Sequence, residues 1–337
     1  MVFQFLSSWE LVAIAVASAA ASTLILRVLL ATGWAWRLAT DIPNARSLHT
    51  RPTPRVGGWG IVPVGVVAIW LLAPRLWLVA LAALALAALS QIDDRRGLPA
   101  RVRFAAHLIA VAILLALYPA AAPIWLIPVG FLMVWLINLY NFMDGADGLA
   151  GGMALFGFGG YAVAAFGAAP GSLDLAIAAA VVAGAAFGFL LLNFHPARLF
   201  LGDAGSIPLG FMAGALGYWG WNNGVWPIWF PAMVFAPFIV DASVTLLRRL
   251  LRGEKFWEAH REHYYQRLIR SGLGHRRTAL SWYAVMFVGI ALALFALTSS
   301  VLVQWLLFVG WIGVIASLGL AIDARWRRTR DHANNNS

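Results

Sequence analysis

The sequence predicts an all-α, polytopic integral membrane protein of about eleven transmembrane helices. Three observations carry this. The 337 residues are 62% hydrophobic and only 11% charged, against roughly 25% charged residues in a soluble domain. Apolar runs approaching the ~20 residues that cross a bilayer recur at 11–31, 59–73, 76–92, 104–120, 123–139, 152–168, 173–193, 207–221, 225–247, 279–298 and 301–322. The basic residues then fall on alternate connections. Loops 32–58, 93–103, 140–151, 194–206, 248–278 and the tail 323–337 hold 22 of the 24 Lys and Arg. The positive-inside rule puts that face in the cytoplasm, the N-terminus outside and the C-terminus inside.

Taken in order, the first run follows nine residues without Lys or Arg. It lacks the basic start of a cleaved signal and reads as a retained helix. The Ala-rich third run and the stretch Leu155 to Ala165 are dense in small residues, which let helices pack closely. Several runs are short, so tilt or merging of neighbours is allowed. The whole chain, 1–337, reads as one transmembrane domain, with a long cytoplasmic loop at 248–278 and a basic tail at 323–337.

The chain has no cysteine. That excludes disulfides, zinc fingers and a thiol nucleophile. A net charge of +10 would hint at nucleic acid in a soluble protein. In a membrane chain it reads as a basic inner face able to hold anionic lipid and phosphate, so no nucleic-acid partner is expected.

Carboxylates are scarce, with 14 Asp and Glu. Glu10 and Asp174 fall outside, and the other twelve lie in or beside the cytoplasmic loops. Asp241 falls inside the ninth run, about two turns from its inner end. Chemistry is therefore expected at the cytoplasmic surface of the membrane.

Five loops carry the polar residues. Loop one reads Asp41-Ile-Pro-Asn-Ala-Arg46-Ser-Leu-His49-Thr-Arg51-Pro-Thr-Pro-Arg55-Val-Gly-Gly, a rigid cationic loop suited to phosphate. Loop two opens with Asp93-Asp94 and then Arg95-Arg96. Adjacent carboxylates at a membrane boundary raise a pKa or recruit a cation, unless they are a solvated helix end paired with the arginines. Loop three reads Asn138-Leu-Tyr-Asn141-Phe-Met-Asp144-Gly-Ala-Asp147-Gly-Leu149. Asn and Asp three residues apart share a helix face until the glycines break it. The spacing is not that of a calcium-binding EF-hand.

Loop four contains Asn193-Phe-His195-Pro-Ala-Arg-Leu-Phe200-Leu-Gly202-Asp203-Ala-Gly-Ser206. Asp203 suits either a hard cation carrying phosphate or a helix N-cap, and Ser206 could also cap. Loop five contains His260-Arg261-Glu262-His263. It reads as an amphipathic helix on the headgroups or as donors to an anionic substrate.

These motifs, in this order from Asp41 to Arg267, resemble the polyprenyl-phosphate N-acetylhexosamine-1-phosphate transferases. That family includes the peptidoglycan translocase-I enzymes, the GlcNAc-1-phosphate transferases and the O-antigen initiating transferases. The resemblance implies ten or eleven spans in a bacterial inner membrane with a cytoplasmic active site. It implies Asp93 and Asp94 as the catalytic pair, one activating the lipid phosphate, and Asp203 as the ligand of Mg²⁺, with Mn²⁺ as the substitute. It also implies a nucleotide-sugar pocket from Asn141, Asp144 and Asp147, with Asp147 at the uracil, Phe200 stacking on the base and Asn193 nearby. Arg55, His260, Arg261 and His263 would complete the substrate contacts.

The implied partners are a UDP-N-acetylhexosamine, undecaprenyl phosphate and membrane lipid, with a second copy of the chain left open. Two departures bear on the donor. The peptidoglycan enzymes carry a Lys shortly after the aspartate pair and three successive histidines in loop five; this chain has Arg95, Arg96 and His-Arg-Glu-His. That favours the O-antigen branch, whose donors include UDP-FucNAc and UDP-QuiNAc, over a muramoyl-pentapeptide substrate. A secondary transporter is the rival from another class, but it would place ionisable residues near the midplane, where only Asp241 stands.

Overall fold

The computed structural model describes residues 6–43, 48–120, 122–168, 172–255 and 260–335. Asn44, Arg46 and Ser47 of loop one and Glu258 of loop five lie outside the described residues. Among the described residues the fold is all-α apart from one tiny hairpin. The elements are α1 (Ser8–Ala31), α2 (Trp34–Leu38), β1 (Thr40–Asp41), β2 (Thr53–Pro54), α3 (Gly57–Leu72), α4 (Trp77–Arg96), α5 (Ala100–Leu117) and α6 (Leu126–Phe142). They continue as α7 (Leu149–Phe166), α8 (Leu173–Asn193), α9 (Asp203–Asn222), α10 (Trp229–Val234), α11 (Ala236–Leu251), α12 (Tyr264–Leu268), α13 (Gly274–Leu297) and α14 (Val301–Asn335).

Among the described residues, eight helical stretches are long and apolar enough to cross a membrane. The chain is thus a polytopic, multi-pass membrane protein. The runs read at 59–73, 207–221 and 225–247 form α3, α9 and the α10–α11 pair, which are shorter or less apolar than those eight.

Two departures from the apolar runs have local causes. The run at 225–247 is a broken helix: α10 ends at Val234 and α11 restarts at Ala236. Pro237 sits in the first turn of α11, where its missing N–H costs nothing but cannot continue a helix from before. The basic tail is the continuation of α14, which runs on as helix for 35 residues, about 52 Å at the helical rise.

α8 is the most enclosed of the eight stretches. It packs against α1 through Gly184 and Gly188: a Cβ at either would run into the backbone carbonyl of Ala15 or Ala19. This is a small-residue crossing of the kind membranes favour. Thr23 Oγ1 adds a hydrogen bond to the Gly188 carbonyl at 3.2 Å. The glycines of α7 act similarly, Gly151 seating Phe189 and Gly157 seating Phe235.

One end of the bundle is stitched by loops distant in sequence. The hairpin pairs Thr40 with Pro54 and Asp41 with Thr53. The chain then bridges across to loop four: Phe200 N donates to Pro54 O at 2.7 Å and Gly57 N to Phe200 O at 2.9 Å. Loops one and four are therefore one backbone unit, and they carry Arg55, Phe200 and Asp203 into the same space.

Candidate active site

Where α6, α8 and α9 meet the loop-one hairpin and loop five, a cavity of about 280 Å³ opens. Of the residues expected in a site, Arg55, Asn141, Asp144, Asp147, Asn193, Phe200, Asp203 and His260 line it. Asp93, Asp94, Arg261 and His263 do not. Asp41, His49, Gln266 and His275 line it as well.

Asp203 is the first residue of α9, directly after Gly202, which at φ 74° occupies a backbone region open to glycine. The N-cap position is Gly202 and no side chain caps this helix. The capping alternative for Asp203 is thereby overturned. Its Oδ1 instead accepts from Asn141 Nδ2 at 2.9 Å. The same amide donates to Ser206 Oγ at 2.9 Å, so Ser206 orients Asn141 and is not a cap either. Asn138, one turn earlier, bonds its own helix at Val134 O, 2.7 Å away.

The adjacent aspartates of loop two part company. Asp93 closes the end of α4: its Oδ1 accepts from Leu98 N at 2.6 Å and its Oδ2 from Arg103 Nη1 at 3.0 Å. Asp94 turns the other way. Its Oδ1 meets Arg55 Nη2 at 3.1 Å with the carboxylate only 3% exposed. Its Oδ2 is buried without a hydrogen-bond partner, and its charge repels that of Asp203.

Asp144 belongs to the same group. Burial pushes its carboxyl well above the ordinary carboxylate range, and the Asp203 charge pushes further, while Arg55 and the Gly202 amide pull it back. Among the described residues, four carboxylates line the cavity against one arginine, Arg55. Carboxylate oxygens on the cavity wall, with the orphaned oxygen of Asp94 beside it, are of the chemical type that a hard divalent cation takes.

The other flank is tied down by hydrogen bonds. Asn193 spends both ends of its amide on the scaffold, accepting from Gly148 N at 2.9 Å and donating to Leu199 O at 3.0 Å. It braces loop three against loop four. Asp147 Oδ2 is pinned by His195 Nδ1 at 2.6 Å and Ala197 N at 3.2 Å. Its Oδ1 stands 3.6 Å from His275 Nδ1. The two imidazoles lie nearly parallel, 5.4 Å apart. Phe200 takes the edge of His49 at 4.8 Å.

Loop five approaches from the far side. His260 faces the cavity, and its Nδ1 is placed to accept from Glu262 N at 3.4 Å. That arrangement leaves the proton on Nε2. Burial holds this imidazole down to about 4, with His263 and Arg249 adding to the effect, so the ring is neutral at physiological pH. His263 lies behind it, 3% exposed. Arg261 offers its carbonyl to Arg270. Glu262 is held by Arg249 at 2.8 Å and Arg252 at 2.6 Å.

His275 gave no signal in the sequence beyond its place in a basic loop. Asp41 and His49 stand in the loop-one motif, where nothing marks a role for them, and Gln266 lies in loop five with no local signal.

Residues 76–220 match the model for glycosyl transferase family 4. The chain is 30% identical over 272 residues to a probable undecaprenyl-phosphate N-acetylglucosaminyl 1-phosphate transferase of Bacillus subtilis, covering 74% of this chain and 75% of that one. It is 31% identical over 333 residues to a decaprenyl-phosphate N-acetylglucosaminephosphotransferase of Mycolicibacterium smegmatis, covering 79% of each. A phospho-N-acetylmuramoyl-pentapeptide-transferase of Geobacillus kaustophilus is 34% identical over 193 residues, 47% of this chain and 58% of that protein. The chain belongs to glycosyl transferase family 4, as one of the polyprenyl-phosphate hexosamine-1-phosphate transferases.

Proposed function

We propose that the protein transfers an N-acetylhexosamine-1-phosphate from a UDP-sugar to undecaprenyl phosphate, releasing UMP, as the first step of O-antigen or other surface-polysaccharide assembly. In this reading the chain crosses the bacterial inner membrane eleven times, and the cavity faces the cytoplasm. The observation that carries the proposal is a junction. Asn141 and Asp203 line both the acidic cavity and an apolar groove of about 970 Å³ along α5, α6 and α9. Arg101 and Arg103 stand at the loop end of that groove. A polar nucleotide-sugar and a long apolar chain would meet at those two residues, which are common to both linings.

The reaction joins two anions. A phosphate monoester with its second pKa near 6 is largely a dianion at neutral pH, so its oxygen is already a nucleophile. It attacks the sugar-proximal phosphorus, a new P–O bond forms, the bond to the UMP oxygen breaks, and UMP leaves with the electron pair. Positioning and charge neutralisation are the main tasks left to the protein.

Asp203 and Asp94 would hold the divalent cation, Mg²⁺ or Mn²⁺, which when bound neutralises the diphosphate and the leaving UMP. Arg55 holds Asp94 in place and adds positive charge beside the phosphates. Asn141 fixes the Asp203 carboxylate. Phe200 offers an apolar face to the base, and the Oδ1 of Asp147, whose other oxygen is held by His195, accepts a base N–H. His260, neutral with Nε2 protonated, donates to the donor substrate. Asp93 acts at one remove, by closing the turn that aims Asp94.

The test is purified protein with undecaprenyl phosphate, Mg²⁺ and a panel of UDP-N-acetylhexosamines, scoring UMP. Release with one donor, abolished by omitting the lipid, supports the proposal. No release with any donor sinks it.

A further inference from the structure

Asp241 has no part in the chemistry above, yet it is the most completely satisfied carboxylate among the described residues. It lies in α11 beyond the break at Phe235 and is 1% exposed. A carboxylate buried at membrane depth is costly unless its oxygens are filled. Two backbone amides and a hydroxyl donate to it, and an imidazole nitrogen stands beside them. Tyr264 N and His263 Nδ1 approach Oδ1 at 2.8 and 3.3 Å, Thr245 Oγ1 approaches Oδ1 at 3.4 Å, and Tyr265 N donates to Oδ2 at 3.1 Å.

Two of those donors are the first amides of α12, which the short helix cannot satisfy itself. The turn they begin carries one cavity residue, Gln266, and His263 just before it packs against another, His260. His263 N donates to Gln266 Oε1 at 3.2 Å, and the His263 ring lies 4.8 Å from that of His260. Gln266 and His260 both line the cavity. The path from Asp241 to the cavity is thus two backbone hydrogen bonds and one buried imidazole.

We infer that Asp241 is a positioning residue: it anchors the start of α12 and His263, and through them sets His260 and Gln266 against the nucleotide-sugar. This rests on the function proposed above. A buried acid here is better suited than an amide. Two amide N–H groups point at opposite oxygens, so an Asn would have to turn its own N–H₂ toward one of them. A structural carboxylate elsewhere in the bundle would affect how much protein folds; this one affects where two cavity side chains stand.

The experiment uses the full chain in lipid nanodiscs. Asp241→Asn keeps the shape and removes one acceptor, and Asp241→Glu keeps both oxygens. Hydrogen exchange is read on peptides spanning Tyr264 and Tyr265, and steady-state constants are measured for each substrate. Asp241→Asn is expected to speed exchange at those amides about tenfold and to raise KM for the UDP-sugar about tenfold, the scale of one hydrogen bond to a charged group. KM for the lipid should stay within about twofold. Asp241→Glu should recover part of both effects.

Parental exchange at Tyr264 and Tyr265 in Asp241→Asn overturns the inference. So does faster exchange with an unchanged KM for the UDP-sugar, or a lower folded yield with all constants unchanged. If the parent chain releases no UMP from any donor, the proposed function fails on its own terms, and the exchange measurement still accepts or rejects the anchoring.

Discussion

Arg55 Nη2 stands 3.1 Å from Asp94 Oδ1, and this contact separates two neighbouring aspartates into different occupations. Arg55 follows β2 and is tied by backbone hydrogen bonds to the loop that carries Asp203. Asp94 is thereby drawn toward the cavity, with one oxygen left unpartnered. Asp93, one residue earlier, is consumed by Leu98 and Arg103.

The pair should therefore respond asymmetrically to substitution. Asp94→Asn is expected to lower kcat/KM for sugar-1-phosphate transfer by at least about a hundredfold, the scale of losing a charged group at the reacting centre, with the melting temperature near that of the parent. Asp93→Ala should instead lower stability by about 1–3 kcal/mol, since it leaves the Leu98 amide and Arg103 unpartnered. Radiolabelled transfer assays and melts on both variants check this. Equal losses of activity with unaltered stability would refute the division.

Metal binding can be tested without turnover. If Asp203 and Asp94 hold a hard divalent cation, millimolar Mg²⁺ should raise the parent melting temperature by about 2 °C or more in the absence of substrate. Asp203→Asn and Asp94→Asn should each remove most of that shift and, for Asp203→Asn, abolish UMP release while leaving protein level normal. Retained Mg²⁺-dependent turnover in Asp203→Asn would sink the metal assignment.

Asp144 predicts a trade of stability for function. Its folded-state pKa is raised, chiefly by burial and then by Asp203. The unfolded chain gives up this proton near the ordinary value of about 3.9, whereas the folded chain retains it. The stability it contributes is present below that value and is lost as pH rises through the folded pKa. In metal-free buffer at pH 7, Asp144→Asn should accordingly melt higher than the parent, with the gap closing near pH 4, while transfer activity falls. A lower melting temperature for the variant at pH 7 would contradict the raised pKa.

The bundle was largely readable in the sequence because every long helix carries its own apolar run. The α10–α11 break lies inside one unbroken apolar run, where Pro237 is its local mark. The site was readable as a set of motifs and unreadable as a geometry. Which of Asp93 and Asp94 faces the cavity depends on Arg55 and Arg103, and no periodicity encodes that choice. His275 reaches Asp147 across 128 residues of sequence, so nothing local marks it. Asn193 and His263 illustrate the converse: both sit in motifs, and both are spent on holding other residues.

His260 offers the sharpest test of the loop-five side of the cavity. Burial, His263 and Arg249 hold its pKa down to about 4, below the ordinary 6.5 of the unfolded chain. The folded state therefore binds fewer protons than the unfolded state between those values. Stability from this group is full above pH 6.5 and is lost as pH falls toward 4. His260→Gln, which cannot ionise, should lose less stability than the parent across that window. Gln also keeps an N–H donor near the position of Nε2. It should retain more transfer activity than His260→Ala, for which a drop of about tenfold to a hundredfold in kcat/KM is expected from loss of a hydrogen bond to a phosphate. Because the parent imidazole is already neutral, its activity between pH 5 and 8 should show no ionisation from His260. Loss in His260→Gln of a titration that the parent shows in that range would mean that His260 works as a cation, and the role given to it here would fall.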